Sequence, residues 1–388
     1  MPWMPGGFLG VDIFFVVSGY LITGQLWGRS AAKGRVDFAE FWLGRARRLL
    51  PALWTMIAGA SAAMLVFGRD QLASFGGDAV SALTYTSNWW YVFHQRSYFV
   101  AAGRPPVLQH LWSLAVEEQF YLVWPVVIGV VTILVTRVAH RRIVLLGIAL
   151  VLGSASAIAM IIGAVTAHAP LDADPSRLYF GTDTHGFSLM CGALLALSRD
   201  GDGLGGPLPV LRRVRREHSR LLGVCGLVAF GSLLVILWRV DEFSPALYRG
   251  GFVGIAVLSA VMVAAATRRT LLARILSGRL LRAIGERSYG LYLWHWPVFC
   301  FTRPFLDLQI DGWRLLAQRL LITFVVNELC YRLIELPVRR RGFRAAFHWR
   351  TTANGLPRST ASLLRPATAM PALVLIFVAG LAIVQDPI

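Results

Sequence analysis

The sequence predicts an all-α, polytopic transmembrane helical bundle of about ten spans. Three observations carry this. Hydrophobic residues make up 56% of the 388 and charged residues only 15%, where a soluble domain has about a quarter charged. Apolar runs recur at roughly the 20 residues a helix needs to cross the hydrocarbon core. Those runs lack the period-2 alternation of a barrel, so helices must satisfy the backbone in lipid.

The spans fall near 8–28, 49–68, 111–136, 143–165, 178–198, 221–239, 250–267, 289–306, 314–334 and 371–386. Charge supports this division. With residue 1 outside, the inner loops are 29–48, 137–142, 199–220, 268–288 and 335–370. Together with Arg332 they hold 29 of the 38 Lys and Arg, as the positive-inside rule requires. Arg212, Arg213, Arg215 and Arg216 form one cluster, and Arg339, Arg340 and Arg341 another. The net charge of +17 therefore reads as cytoplasmic loops of a multi-pass plasma (inner) membrane protein, with the bilayer as partner and no nucleic acid. A further span at 79–93 would invert every later loop, so 69–110 reads as one long outer loop. Its Trp89, Trp90, Tyr91 and Phe93 suit an interfacial belt. Gly201, Gly203, Gly205 and Gly206 read as an inner linker.

The ends carry expectations of their own. Met1-Pro2-Trp3 runs into the first apolar helix without the basic stretch of a signal peptide. The charge pattern places residue 1 outside with no span before it, which suggests an earlier helix. The run at 371–386 reads either as a terminal anchor or as a helix leading to an outer domain. Cys191, Cys225, Cys300 and Cys330 lie in apolar runs with no Cys-x-x-Cys spacing, and read as buried structural thiols without metal.

Ionisable residues inside spans are costly, so each is a functional candidate. In His110-Leu111-Trp112-Ser113-Leu114-Ala115-Val116-Glu117-Glu118-Gln119-Phe120-Tyr121, residues Ser113, Glu117 and Tyr121 recur every fourth position and share one helical face. His110 precedes them by a turn. A base, a carboxylate and two hydroxyls on one face can bind a polar substrate and orient protons; a polar network joining helices would use the same residues. His295 lies one turn after Tyr292, inside a span and between Trp294 and Trp296. Arg45, Arg47 and Arg48 precede Pro51 at an inner mouth, where guanidiniums either anchor topology or clasp phosphates. Asp12 lies in Gly10-Val11-Asp12-Ile13-Phe14-Phe15-Val16-Val17-Ser18-Gly19, whose small residues permit close packing. Asp183 and His185 open the fifth span, where they either receive a substrate or cap the helix.

Taken together, the chain resembles the acyltransferase-3 family. The resemblance rests on residues 6–21, the Arg45–Pro51 segment, Trp112–Tyr121, Tyr292-Leu293-Trp294-His295-Trp296-Pro297 and Glu335-Leu336-Pro337, with Asn88-Trp89 and Tyr98-Phe99 resembling the bacterial branch that modifies surface glycans. It implies a membrane O-acyltransferase moving an acyl group, often acetyl, from cytoplasmic acyl-CoA to hydroxyls of an extracytoplasmic glycan or lipid-linked sugar. No cofactor is permanently bound; acyl-CoA (acetyl-CoA) is the co-substrate. The implied division is a transmembrane acyltransferase domain at 1–340, a basic cytoplasmic linker at 341–370 and an extra helix at 371–388. Arg45 and Arg48 would meet the donor phosphates. Glu117, Tyr121 and His295 would act in transfer, with His110, Ser113, Asp183 and Tyr292 binding substrate. The family pattern places its catalytic base, a histidine, in a helix ahead of Gly6, and often has arginine at the position of His185. A transporter or flippase of a lipid-linked saccharide, or an inactive fragment, are the competing readings.

Overall fold

A computed structural model describes residues 4–99, 104–199, 219–347 and 366–385. The arginine cluster at 212–216, the glycine stretch at 201–206 and the 348–365 part of the expected linker lie outside the described residues. The helices in chain order are α1 (Gly10–Lys33), α2 (Phe38–Phe67), α3 (Leu72–Leu83), α4 (Ser87–Phe93), α5 (Leu111–Leu134), α6 (Val138–Thr166), α7 (Ser176–Phe180), α8 (Thr182–His185), α9 (Phe187–Ser198), α10 (Ser219–Arg239), α11 (Phe252–Ala266), α12 (Leu271–Leu276), α13 (Arg279–Cys300), α14 (Gly312–Cys330), α15 (Leu336–Phe347) and α16 (Pro366–Gln385). A π turn, Tyr331–Glu335, joins α14 to α15. Among the described residues the only β feature is an isolated bridge, Pro304 to Leu308.

Six stretches among the described residues are long and apolar enough to cross a membrane: Pro5–Lys33, Phe38–Phe67, Leu111–Leu134, Val138–Thr166, Arg220–Arg239 and Leu247–Ala266. Phe187–Ser198 and Ala369–Ala382 are shorter apolar helices. The chain is thus a multi-pass membrane protein. Helices α13 and α14 occupy the expected eighth and ninth spans but carry more charge, such as Arg287, Arg314, Arg319 and Glu328.

Two expectations are corrected. The fifth span is not one helix at 178–198 but α7, α8 and α9. Gly181 is extended, with φ −66° and ψ 125°, and the Thr184 hydroxyl donates to Leu178 O at 2.7 Å, holding the broken end. The segment 69–110, expected to be a loop, contains α3 and α4, which at 12 and 7 residues are too short to cross the bilayer; their helicity is new. Phe75, Asp78 and Ala82 form the buried stripe of α3.

The chain divides into two compact units. The first comprises Met1–Val36, Tyr85–Val100 and Trp112–Arg279. Its tightest packing is α1 on α9. A Cβ on Gly19 would fall on the Leu189 carbonyl, and one on Gly192 on the Val16 carbonyl, so two glycines let the backbones touch. Gly10, grouped with Gly19 by sequence, has open space around it. Cross-links from α1 to α5 are polar: Trp124 Nε1 donates to Thr23 Oγ1 at 2.8 Å, and the Ser30 and Thr132 hydroxyls lie 2.6 Å apart.

The second unit comprises Asp37–Thr84, Ala101–Leu111 and Leu280–Ile388. Asp37 caps α2, accepting from the Glu40 backbone N–H at 2.9 Å. Helices α15 and α16 pack on α2. Gly59 of α2 leaves room for Trp294, which a Cβ there would meet at 2.8 Å. Trp294 in turn stands edge-on to Phe377 of α16, ring centroids 5.0 Å apart. Outside this core, Arg104 is buried and donates to Cys300 O at 2.7 Å and to Asp307 at 3.3 Å. Burial acts against ionising Asp307, but Arg303 and Arg104 hold its carboxyl below the usual range.

Candidate functional site

In the first unit, the four-residue spacing on α5 does what helical geometry requires. Ser113, Glu117 and Tyr121 are all buried. The Tyr121 hydroxyl donates to Glu117 Oε1, and so does Ser18 from α1. The two hydroxyl oxygens are themselves 2.5 Å apart. Glu117, only 5% exposed, thus meets two hydroxyls within an apolar bundle. A carboxylate there is poised to take a proton from an O–H group. Sequence reading supplied Glu117 and Tyr121; Ser18 was visible only as a small residue in a packing motif, because nothing local ties it to a residue 99 positions away.

The same unit holds a second polar centre that sequence reading did not join. Asp12 and His185 are both fully buried, with His185 Nε2 2.8 Å from Asp12 Oδ1. Ser188 donates to the same oxygen at 3.0 Å. The other ring nitrogen, Nδ1, lies 2.9 Å from the Tyr179 carbonyl. That contact uses an N–H on Nδ1. Asp12→Ala removes the oxygen that Nε2 and the Ser188 hydroxyl both meet, and should lower stability by about 1–3 kcal/mol, the usual cost of stranding a buried hydrogen-bonding group. The check is an apparent melting temperature in detergent; an unchanged value would mean the pair contributes nothing.

Asp183 goes elsewhere. Its side chain is about half exposed and pairs with Arg177 at 2.8 Å. Gln119, Asn88 and Thr182 close a ring: Thr182 donates to Gln119 Oε1 at 2.6 Å, Gln119 to Asn88 Oδ1 at 2.9 Å, and Asn88 to Thr182 Oγ1 at 2.9 Å. This ties α8 to α4 and α5 beside the Asp183 segment.

In the second unit, His110, Tyr292 and His295 come together. Tyr292 donates its hydroxyl to His110 O at 2.6 Å. His110 Nε2 lies 3.1 Å from Leu293 O, and the two imidazole centroids are 5.6 Å apart. Burial, then the neighbouring His295, push the His110 pKa well below its ordinary value; the bond to Leu293 opposes them. His110 is therefore neutral at physiological pH. His295 Nδ1 contacts Tyr292 O at 2.5 Å.

Arg45 and Arg48 lie about two and three turns into α2. Arg45 sits 5.8 Å above the Phe41 ring. Arg48 is exposed. Glu335 ends the π turn, buried, and burial pushes its carboxyl up to about 7 against the pull of Arg339 and Arg48.

A family model described as an acyltransferase domain matches residues 2–331. The chain is 39% identical, over 88% of its length and 53% of the relative's, to the peptidoglycan O-acetyltransferase OatA of Listeria monocytogenes. It is 39% identical over 88% of its length to the putative peptidoglycan O-acetyltransferase YrhL of Bacillus subtilis, covering 52% of that protein. It is 36% identical over 88% of its length to the O-acetyltransferase OatA of Staphylococcus aureus, covering 54% of that protein. The chain spans about half the length of these curated relatives. No solved structure matches it significantly.

Proposed function

The chain belongs to this acyltransferase family, and from that premise we propose that it moves an acetyl group from a cytoplasmic acyl-CoA to hydroxyls of peptidoglycan outside the membrane. The observation that carries the reading is the buried Glu117 carboxylate meeting two hydroxyls in an apolar bundle. The names of the relatives support acetyl as the group and peptidoglycan as the acceptor. The division proposed with it is a catalytic membrane domain at 1–340, a basic linker at 341–370 and a further helix at 371–388.

In the chemistry, Arg45 and Arg48 hold the donor phosphates by charge-assisted bonds. A hydroxyl, either the acceptor's or one that carries the acyl group onward, attacks the thioester carbonyl. Glu117 takes the hydroxyl proton while Tyr121 and Ser18 orient it. The C–O bond forms, the C–S bond breaks, and the proton passes to the departing thiolate. His295 is proposed to act in transfer, with His110 and Tyr292 as contacts to the substrate. Ser113 and Asp183 are proposed contacts to the acceptor.

The test is transfer of label from acetyl-CoA, supplied on the cytoplasmic side of membrane vesicles, to peptidoglycan on the other side. Label should reach the glycan. Arg48→Ala should cut incorporation about 10–100-fold through donor KM, the worth of a charge-assisted contact. Label that stays in acetyl-CoA, with the chain inserted, would sink the reading and favour a saccharide transporter.

A further inference from the structure

We propose that Asn327 and Glu335 form a buried subsite in the second unit that holds the amide-bearing arm of the acyl donor. The inference rests on the donor reading above and extends it to residues that play no part in it.

Asn327 of α14 is fully buried, and among the described residues neither Oδ1 nor Nδ2 has a hydrogen-bond partner. Glu335 is 4% exposed, and its Oε1 likewise has none. Thr323 Oγ1, one turn before Asn327, is in the same condition. Buried polar atoms are nearly always satisfied, and each exception calls for an explanation. These atoms also converge. A Cβ on Gly290 of α13 would fall onto Asn327 Oδ1 and 3.0 Å from Glu335 Oε1. Any side chain at 290 would displace both groups, so the glycine keeps them facing one point. The π turn that carries Glu335 is a rare wide turn of a kind frequent at functional sites.

The chemistry narrows the ligand. One amide offers a donor and an acceptor, and a carboxyl stands beside it. A chain of secondary amides presents the complementary N–H and C=O groups. Between the phosphates and the thioester of an acyl-CoA lies such a chain, with two amides and a hydroxyl. A bundle that admits it must supply partners, since each unpaired amide in an apolar setting costs kcal/mol. Arg48, proposed for the phosphates, acts electrostatically on Glu335, which puts the phosphate and arm contacts within reach of one molecule.

The experiment measures binding to the full chain in nanodiscs of two probes: coenzyme A, and its adenosine bisphosphate half, which lacks the arm. The wild type should bind coenzyme A about tenfold more tightly than the nucleotide half, one or two hydrogen bonds' worth. Asn327→Leu and the near-isosteric Asn327→Asp should each weaken coenzyme A about tenfold and leave the nucleotide half unchanged, which also shows the variants to be folded. Unchanged coenzyme A affinity in the variants, or equal loss of both probes, overturns the subsite while leaving the donor reading intact. If the wild type binds neither probe, the donor reading itself fails and the subsite with it.

Discussion

Glu117→Gln lowers acyl transfer by at least about two orders of magnitude, the lower end of what a positioned proton acceptor contributes, while membrane insertion and yield stay at the wild-type level. The substitution is close to isosteric. Its amide oxygen can still accept from Ser18 and Tyr121, the two donors that meet Glu117 Oε1. What it cannot do is accept and pass on a proton. The two roles of the residue are thereby separated: a network that merely joins α1 to α5 survives the change, and a proton acceptor does not. The measurement is initial-rate transfer from labelled acetyl-CoA at saturating donor, normalised to inserted protein. Activity within threefold of wild type would remove Glu117 from the chemistry.

Gly19→Val and Gly192→Val each abolish recovery of a folded protein. At both positions a Cβ would occupy a backbone carbonyl of the facing helix, and backbone cannot turn aside as a flexible side chain can. Overpacking costs about 1–3 kcal/mol even where neighbours adjust, and valine adds two further carbons. Because α1 also carries Asp12 and Ser18, displacing it from α9 breaks the Asp12–His185 pair. Gly10→Ala is the matched control: nothing lies near its Cβ, so the effect should stay within about 0.5 kcal/mol. Monodisperse elution from a sizing column distinguishes them. A well-behaved Gly19→Val protein would show that the α1–α9 contact is not a tight one.

What the sequence disclosed follows from the range of each interaction. Glu117 and Tyr121 were legible because a helical period is local: four positions along α5 bring them to one face whatever else the chain does. The positive loops disclosed the alternation of spans for a similar reason, since each charge is decided where it stands. Ser18 and Glu117 are 99 residues apart, and Asp12 and His185 are 173 apart. No periodicity connects such pairs; only the cost of burying a carboxyl marked Asp12 as needing a partner. The break at Gly181 is hidden because Thr182, Asp183, Thr184 and His185 read equally as the capped outer start of one continuous span. Helices α3 and α4 are not legible because the charge argument constrains crossing, not conformation. Asn327 carries no signal of its own, since a single amide in an apolar run is the ordinary sign of helix packing.

The distance between Asp12 and His185 also has a timing. A ribosome adds about 5–20 residues per second, so the 173 residues between them take roughly ten to thirty-five seconds to emerge. Throughout that interval α1 carries a carboxyl whose native partners, His185 and Ser188, do not yet exist. Asp12 stands in the first turn of α1, so its cost on insertion lies below the roughly 2.5–3.5 kcal/mol of an aspartate at the centre of an isolated span. The polar centre of the first unit is thus completed only when synthesis has passed α8 and entered α9, and α1 carries its carboxyl unpaired with them until then.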